Sequence, residues 1–243
     1  MLVGHIALVA AAFGLPAQNG DAQARRIEIS LQDHLLWLID GSDTVLTAPI
    51  AAGRRDSLVY GGKAYIWSTP EGERTIRAKR LAPVWSVPDW HYFERAASEQ
   101  LELVAMVRGR QYPLADGSRL EVRQRQVIRV LGRQFWRVPQ GSELIIDGVL
   151  YMPPAGTVQR EIPGALGSRA LDLGEGFLIH GTSPHNQTSI GRPASHGCIR
   201  MHDEDVKRLY ELVNVGTTVL IHSGGSNQTN CVAARCLVAS KSR

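Results

Sequence analysis

Apolar and polar side chains alternate from Ile27 onward. Ile27, Ile29 and Leu31 bracket Glu28 and Ser30, and an apolar run over 35–39 follows a polar turn at Gln32-Asp33. A period of two sends successive side chains to opposite faces of a strand, so the pattern predicts two short strands. Asp40-Gly41-Ser42-Asp43 then turns the chain into a third over 44–50. A further strand is predicted over 64–68, closed by the turn Thr69-Pro70-Glu71-Gly72. Residues 143–146 and 149–152 flank Asp147-Gly148, a pair that favours the tight turn of a β-hairpin. The last predicted strand covers 217–222.

Helical spacing is scarce. Val206, Leu209, Tyr210 and Val213 recur at i, i+3, i+4 and i+7, behind Asp203, Glu204 and Asp205 and ahead of Gly216. That predicts a helix over 203–213, with acids at the end where the helix dipole favours them. A weaker helical pattern runs over 93–107. No internal repeat is present. The fold class expected is mainly β, a β-rich α+β body of two packed mixed sheets or a barrel-like closure, with few helices.

Composition narrows this picture little. The chain has 243 residues, 44% hydrophobic and 21% charged, as a globular protein able to bury a sizeable core would. No apolar run is long enough for a membrane-spanning helix. The net charge of +4 comes from 27 basic and 23 acidic residues, nearly all of the bases being arginine. No basic helix or RNA-binding aromatic signature accompanies it, so nucleic acid is not an expected partner.

The amino terminus does change the picture. A short apolar stretch over 6–15, followed by Ala22-Gln23-Ala24 before Arg25, reads as an export signal over 1–24, although no lysine or arginine precedes it. Three cysteines are present, Cys198, Cys231 and Cys236. In an exported protein the count allows one disulfide, with Cys231 and Cys236 close enough in the polar tail over 223–243 to pair.

Chemistry concentrates in 178–201, LIHGTSPHNQTSIGRPASHGCIRM. A cysteine nucleophile needs a base within reach, donors for a developing oxyanion and a backbone that presents it. His180 and His196 are the candidate bases for Cys198. His180 ends an apolar run and would face the thiol from a neighbouring strand. Gly197 would let backbone N–H groups approach an oxyanion. An activated Cys198 would alkylate at a pH well below the ordinary thiol value of about 8.5. His180, His185, His196, Cys198 and His202 lie close in sequence, as zinc ligands can, but their spacings match no zinc-ligand pattern.

These residues resemble the catalytic motif of the L,D-transpeptidases of the YkuD family: His180-Gly181-Thr182, Ile190-Gly191, then Ser195-His196-Gly197-Cys198-Ile199-Arg200-Met201. Thr69-Pro70-Glu71-Gly72, Pro154-Ala155-Gly156 and 166–171 resemble flanking parts of the same family. The resemblance covers about 26–83 and 151–222 and implies a catalytic domain over 25–222. It implies that Cys198 attacks the bond between the third, L-configured centre of a peptidoglycan stem and the terminal D-alanine, leaving a thioester. His180 would be the base and the Gly181 carbonyl would orient its ring. Backbone N–H groups at His196, Gly197 and Cys198 would hold the oxyanion. Arg200 would read a substrate carboxylate or brace the loop, and Ser195 would hydrogen-bond within it. An amine acceptor would then resolve the thioester. The family implies no metal or organic cofactor, and it implies stem peptides as partners in the periplasm or cell envelope. Water or a lipoprotein lysine as acceptor, and a non-catalytic peptidoglycan-binding module, remain as alternatives. Residues 84–150 exceed a minimal member. They bring Trp85, Trp90, Trp136 and many arginines, as an elaborated loop with its own core or as a wall of the cleft.

Overall fold

The computed structural model describes residues 25–225. The expected export signal over 1–24, and Cys231 and Cys236 in the expected tail, lie outside the described residues. The alternating segments form strands close to where the pattern puts them: Arg26–Ser30, Leu35–Asp40 and Asp43–Gly53 are consecutive antiparallel neighbours. Their inward positions, Ile27, Ile29, Leu36, Leu38, Leu46, Ala48 and Ile50, are all buried in one apolar cluster.

These strands belong to a ten-stranded mixed sheet. Its order runs Gly72–Thr75, Thr218–His222, Arg26–Ser30, Leu35–Asp40, Asp43–Gly53, Ile199–Met201, Phe177–His180, Arg169–Gly174 and Ala78–Leu81, with Pro193–Ser195 also against Asp43–Gly53. The two ends of that order are neighbours in sequence, joined only by Ile76-Arg77. A flat sheet would hold them about 38 Å apart at about 4.8 Å per strand, far beyond the ~7 Å that two extended residues reach. The sheet therefore curls on itself. The link is bonded to both flanks, Ile76 N–H to Thr217 O at 3.0 Å and Arg77 N–H to Asp172 O at 2.7 Å. Of the two arrangements expected, this is the barrel-like one.

The helix Asp203–Leu212 packs against the strands Arg169–Gly174 and Phe177–His180, and Val206 and Leu209 are fully buried. Between Leu81 and Arg169 the chain builds a second body on two apolar clusters of its own. Val84–Ser86 pairs with Glu161–Pro163, Glu102–Ala105 runs parallel to Val149–Met152, and a four-stranded sheet spans 111–137. The Asp147-Gly148 turn is as expected, with φ of +51° and +79° at its two central residues. Residue 150, where the sequence reading ends the extra segment, falls inside the strand Val149–Met152, and the second body continues to Pro163.

The helix expected over 93–107 is Asp89–Glu99 instead. Pro88 pre-sets the backbone ahead of the first turn and Asp89 supplies an acid at the positive end of the dipole. Gln100 ends the helix in the left-handed region at φ +55°, and the next residues pair as the strand Glu102–Ala105.

Candidate active site

Cys198 lies on the loop between Pro193–Ser195 and Ile199–Met201. Ser195 folds this loop: its buried Oγ accepts the Gly197 N–H at 3.0 Å and donates to the Cys198 carbonyl at 2.6 Å. Thr69 holds it from outside, donating to the Gly197 carbonyl at 2.8 Å while accepting the Gly53 N–H at 2.9 Å. Gly197 has φ +131°, and a Cβ there would sit 3.0 Å from both the Phe177 ring and the Ser68 carbonyl. Only glycine fits.

His180 closes the strand Phe177–His180, which runs parallel to Ile199–Met201 with His180 opposite Arg200. The buried His180 and the half-buried Cys198 thus reach one cleft of about 570 Å³. The His180 Nδ1 lies 2.5 Å from the Gly181 carbonyl oxygen. A carbonyl only accepts, so Nδ1 carries the proton and the neutral ring has none on Nε2. The helix beneath crowds Gly181, where a Cβ would come 2.3 Å from Asp203 Oδ1 and 3.2 Å from the Val206 side chain.

Burial pushes the His180 imidazole down to about 4, and the Arg200 charge acts in the same direction against hydrogen bonds to the backbone at Gly181 and Leu166. Burial also pushes the Cys198 thiol up, outweighing a backbone hydrogen bond at Leu178 and the nearby Arg200. The resting pair is thiol and neutral imidazole. Burial disfavours a free thiolate here, because the charge would be taken out of water.

His196 is held by residues that no local pattern ties to it. Its Nε2 lies 2.7 Å from Glu94 Oε2, the Trp90 ring stacks on it at 4.3 Å, and the buried Trp67 meets it edge-on at 4.8 Å. The other Glu94 oxygen is ion-paired with Arg54. Trp90 and Glu94 are four apart on the helix Asp89–Glu99 and so share a face. That spacing was visible in sequence, but nothing local tied it to a loop a hundred residues away.

Arg200 lines the cleft, half-buried, with no carboxylate partner among the described residues. The Thr182 hydroxyl is buried beside the cleft and has no hydrogen-bond partner among the described residues. The expected site residues therefore gather at one place, with Ser195 and Gly197 inside the loop and Cys198, His180 and Arg200 at the cleft wall. His202 instead bonds Gln187 Oε1 at 2.5 Å. Among the described residues no group of three or more His, Cys, Asp or Glu side chains is gathered to hold a metal ion.

A family model described as YkuD, the L,D-transpeptidase catalytic domain, matches residues 24–221. A protein of Escherichia coli K12 named a probable L,D-transpeptidase, YbiS, is 46% identical over 54 residues, covering 22% of this chain and 17% of that protein. A Bacillus subtilis protein named as an L,D-transpeptidase, YkuD, is 37% identical over 92 residues, covering 35% of this chain and 55% of its own. These alignments span under two thirds of either relative. A solved L,D-transpeptidase fragment from Xylanimonas cellulosilytica aligns with 84% of this chain and 62% of its own, at 14% identity and a TM-score of 0.42.

Proposed function

The chain belongs to the YkuD family of L,D-transpeptidase catalytic domains, and from that premise we propose that it cross-links peptidoglycan stem peptides through a Cys198 thioester. The observation that carries this reading is the single cleft shared by the Cys198 thiol and a His180 ring whose Nδ1 proton is fixed by the Gly181 carbonyl. Cys198 Sγ attacks the carbonyl joining the L-configured third residue to D-alanine as His180 Nε2 takes the thiol proton. Negative charge collects on the carbonyl oxygen. The Gly197 N–H already donates to Ser195, which leaves the N–H groups of His196 and Cys198 as the oxyanion donors. Each well-aimed donor of this kind accelerates attack by about 10²–10³.

The tetrahedral intermediate collapses, the C–N bond breaks, and the proton on His180 passes to the departing amine of D-alanine. A thioester remains on Cys198. An amine from a second stem attacks that thioester and gives up a proton to His180. The carbon–sulfur bond breaks and the sulfur recovers the proton. The unpaired cation of Arg200 suits a substrate carboxylate at the cleft wall. No cofactor takes part in these steps. Function of this kind requires export to the cell envelope, consistent with the apolar stretch over 6–15, and makes 25–222 the catalytic unit with the second body inserted in it.

Mass spectrometry of a disaccharide-tetrapeptide incubated with the protein tests the reading. Dimer with loss of D-alanine, absent for Cys198→Ala, is the expected result. Tripeptide alone would mean that water is the acceptor, and no product beside a readily acylated Cys198 would overturn the assigned donor.

A further inference from the structure

The nucleophile loop is pinned from outside the main sheet. The helix Asp89–Glu99 belongs to the second body, yet Trp90 and Glu94 clasp the side chain of His196, two residues before Cys198. The clasp is complete on three sides, with Trp90 stacked, Trp67 at the edge and the Glu94 carboxylate on Nε2. Glu94 is itself fixed through its ion pair to Arg54, which neighbours the Asp43–Gly53 strand and also lies over the Trp67 ring at 5.7 Å. The charged groups near the His196 ring are Glu94, Arg54 and Arg200.

We propose that Glu94 is a positioning residue: it holds the His196 side chain so that the backbone of the loop aims its N–H groups at the oxyanion formed when Cys198 is acylated. The inference rests on the Cys198 acyl chemistry proposed above. A ring hydrogen-bonded through one nitrogen and stacked on one face has no free rotation about χ1 or χ2. His196 is then held through its side chain by this clasp, and its neighbour Gly197 is held by the Ser195 and Thr69 hydrogen bonds. The second body is in this way part of the site without supplying the nucleophile or the base.

Two reagents separate this role from a merely structural one. Attack on 4-nitrophenyl acetate passes through an oxyanion, whereas alkylation by iodoacetamide displaces iodide and forms none. Glu94→Ala should slow acylation of Cys198 by the ester about 10- to 100-fold while alkylation stays unchanged. Glu94→Gln, which still offers an oxygen to Nε2–H, should stay within about threefold of the parent. Glu94→Asp, which keeps the charge but shortens the reach, should resemble Glu94→Ala. Equal slowing of both reagents, or of neither, would overturn the proposal, as would a Glu94→Gln as slow as Glu94→Ala. Both reagents act on the thiol without a stem peptide. A protein that is inert toward stem peptides but shows the expected reagent pattern would therefore refute the proposed substrate and leave the role of Glu94 standing.

Discussion

His180 has a cost in stability that can be read with pH. Its pKa is ordinarily about 6.5 and about 4 in the fold, chiefly from burial. Between those values the unfolded chain binds a proton that the folded chain does not, so stability must fall as pH drops from about 6.5 toward 4. The full loss is about 3 kcal/mol. His196 is shifted in the same direction by burial and adds to it. Urea unfolding at pH 7 and pH 5 should show a loss in the parent that is larger by about 2 kcal/mol than in His180→Gln, whose amide can still donate to Gly181. Equal losses would mean that the ring is not held neutral. Cys198 and His180 were legible as a pair because motif and spacing lie within one short segment. Thr69 was legible only as a turn residue, because its hydrogen bond to Gly197 joins positions 128 apart. Glu94 carried no local signal for the same reason.

The helix Asp89–Glu99 shows how an element can be missed while its parts are visible. The apolar positions over 93–107 have helical spacing, but the segment beyond Gln100 finds a parallel strand partner in Val149–Met152. Tertiary pairing overrides local preference there. At the other end, Arg160 anchors the start of the helix. It is buried, and it donates to the Val87 carbonyl at 3.2 Å, the Pro153 carbonyl at 2.6 Å and Asp89 Oδ1 at 2.5 Å. Arg160→Met fills similar space but leaves the buried carbonyls unpaired, at about 1–3 kcal/mol each. The variant should lose about 2–4 kcal/mol and show faster hydrogen exchange at the amides of Asp89–Glu99, with exchange in Leu35–Asp40 little changed below the global limit. Loss confined to exchange at the four-stranded sheet over 111–137 would show that Arg160 does not anchor this helix.

At the scale of the molecule, the chain leaves the main sheet and returns to it at almost the same point. Leu81 is paired with Arg169, the Ala82 N–H bonds the Ser168 carbonyl at 2.9 Å, and Val84 is paired with Pro163. The strands Ala78–Leu81 and Arg169–Gly174 are antiparallel neighbours, so a short turn can join them in place of the whole second body. Closing that loop with a few residues also costs less chain entropy than closing it with the native segment. The core beneath the sheet is built from residues outside 84–163. Replacing 84–163 by a short Gly/Ser linker should therefore give a chain that unfolds cooperatively in urea, with Leu171, Ile179 and Ile199 still buried. The same chain lacks Trp85 and Trp90 from the cleft wall and Glu94 from the side of His196. Its Cys198 should alkylate at least as fast as in the parent, because less of the thiol is covered, while its acylation by 4-nitrophenyl acetate falls with the loss of the His196 clasp. A linker variant that folds and acylates like the parent would make the second body an ornament of the sheet. One that cannot fold would show that the curled sheet draws on the second body for stability as well as for the geometry of its nucleophile loop.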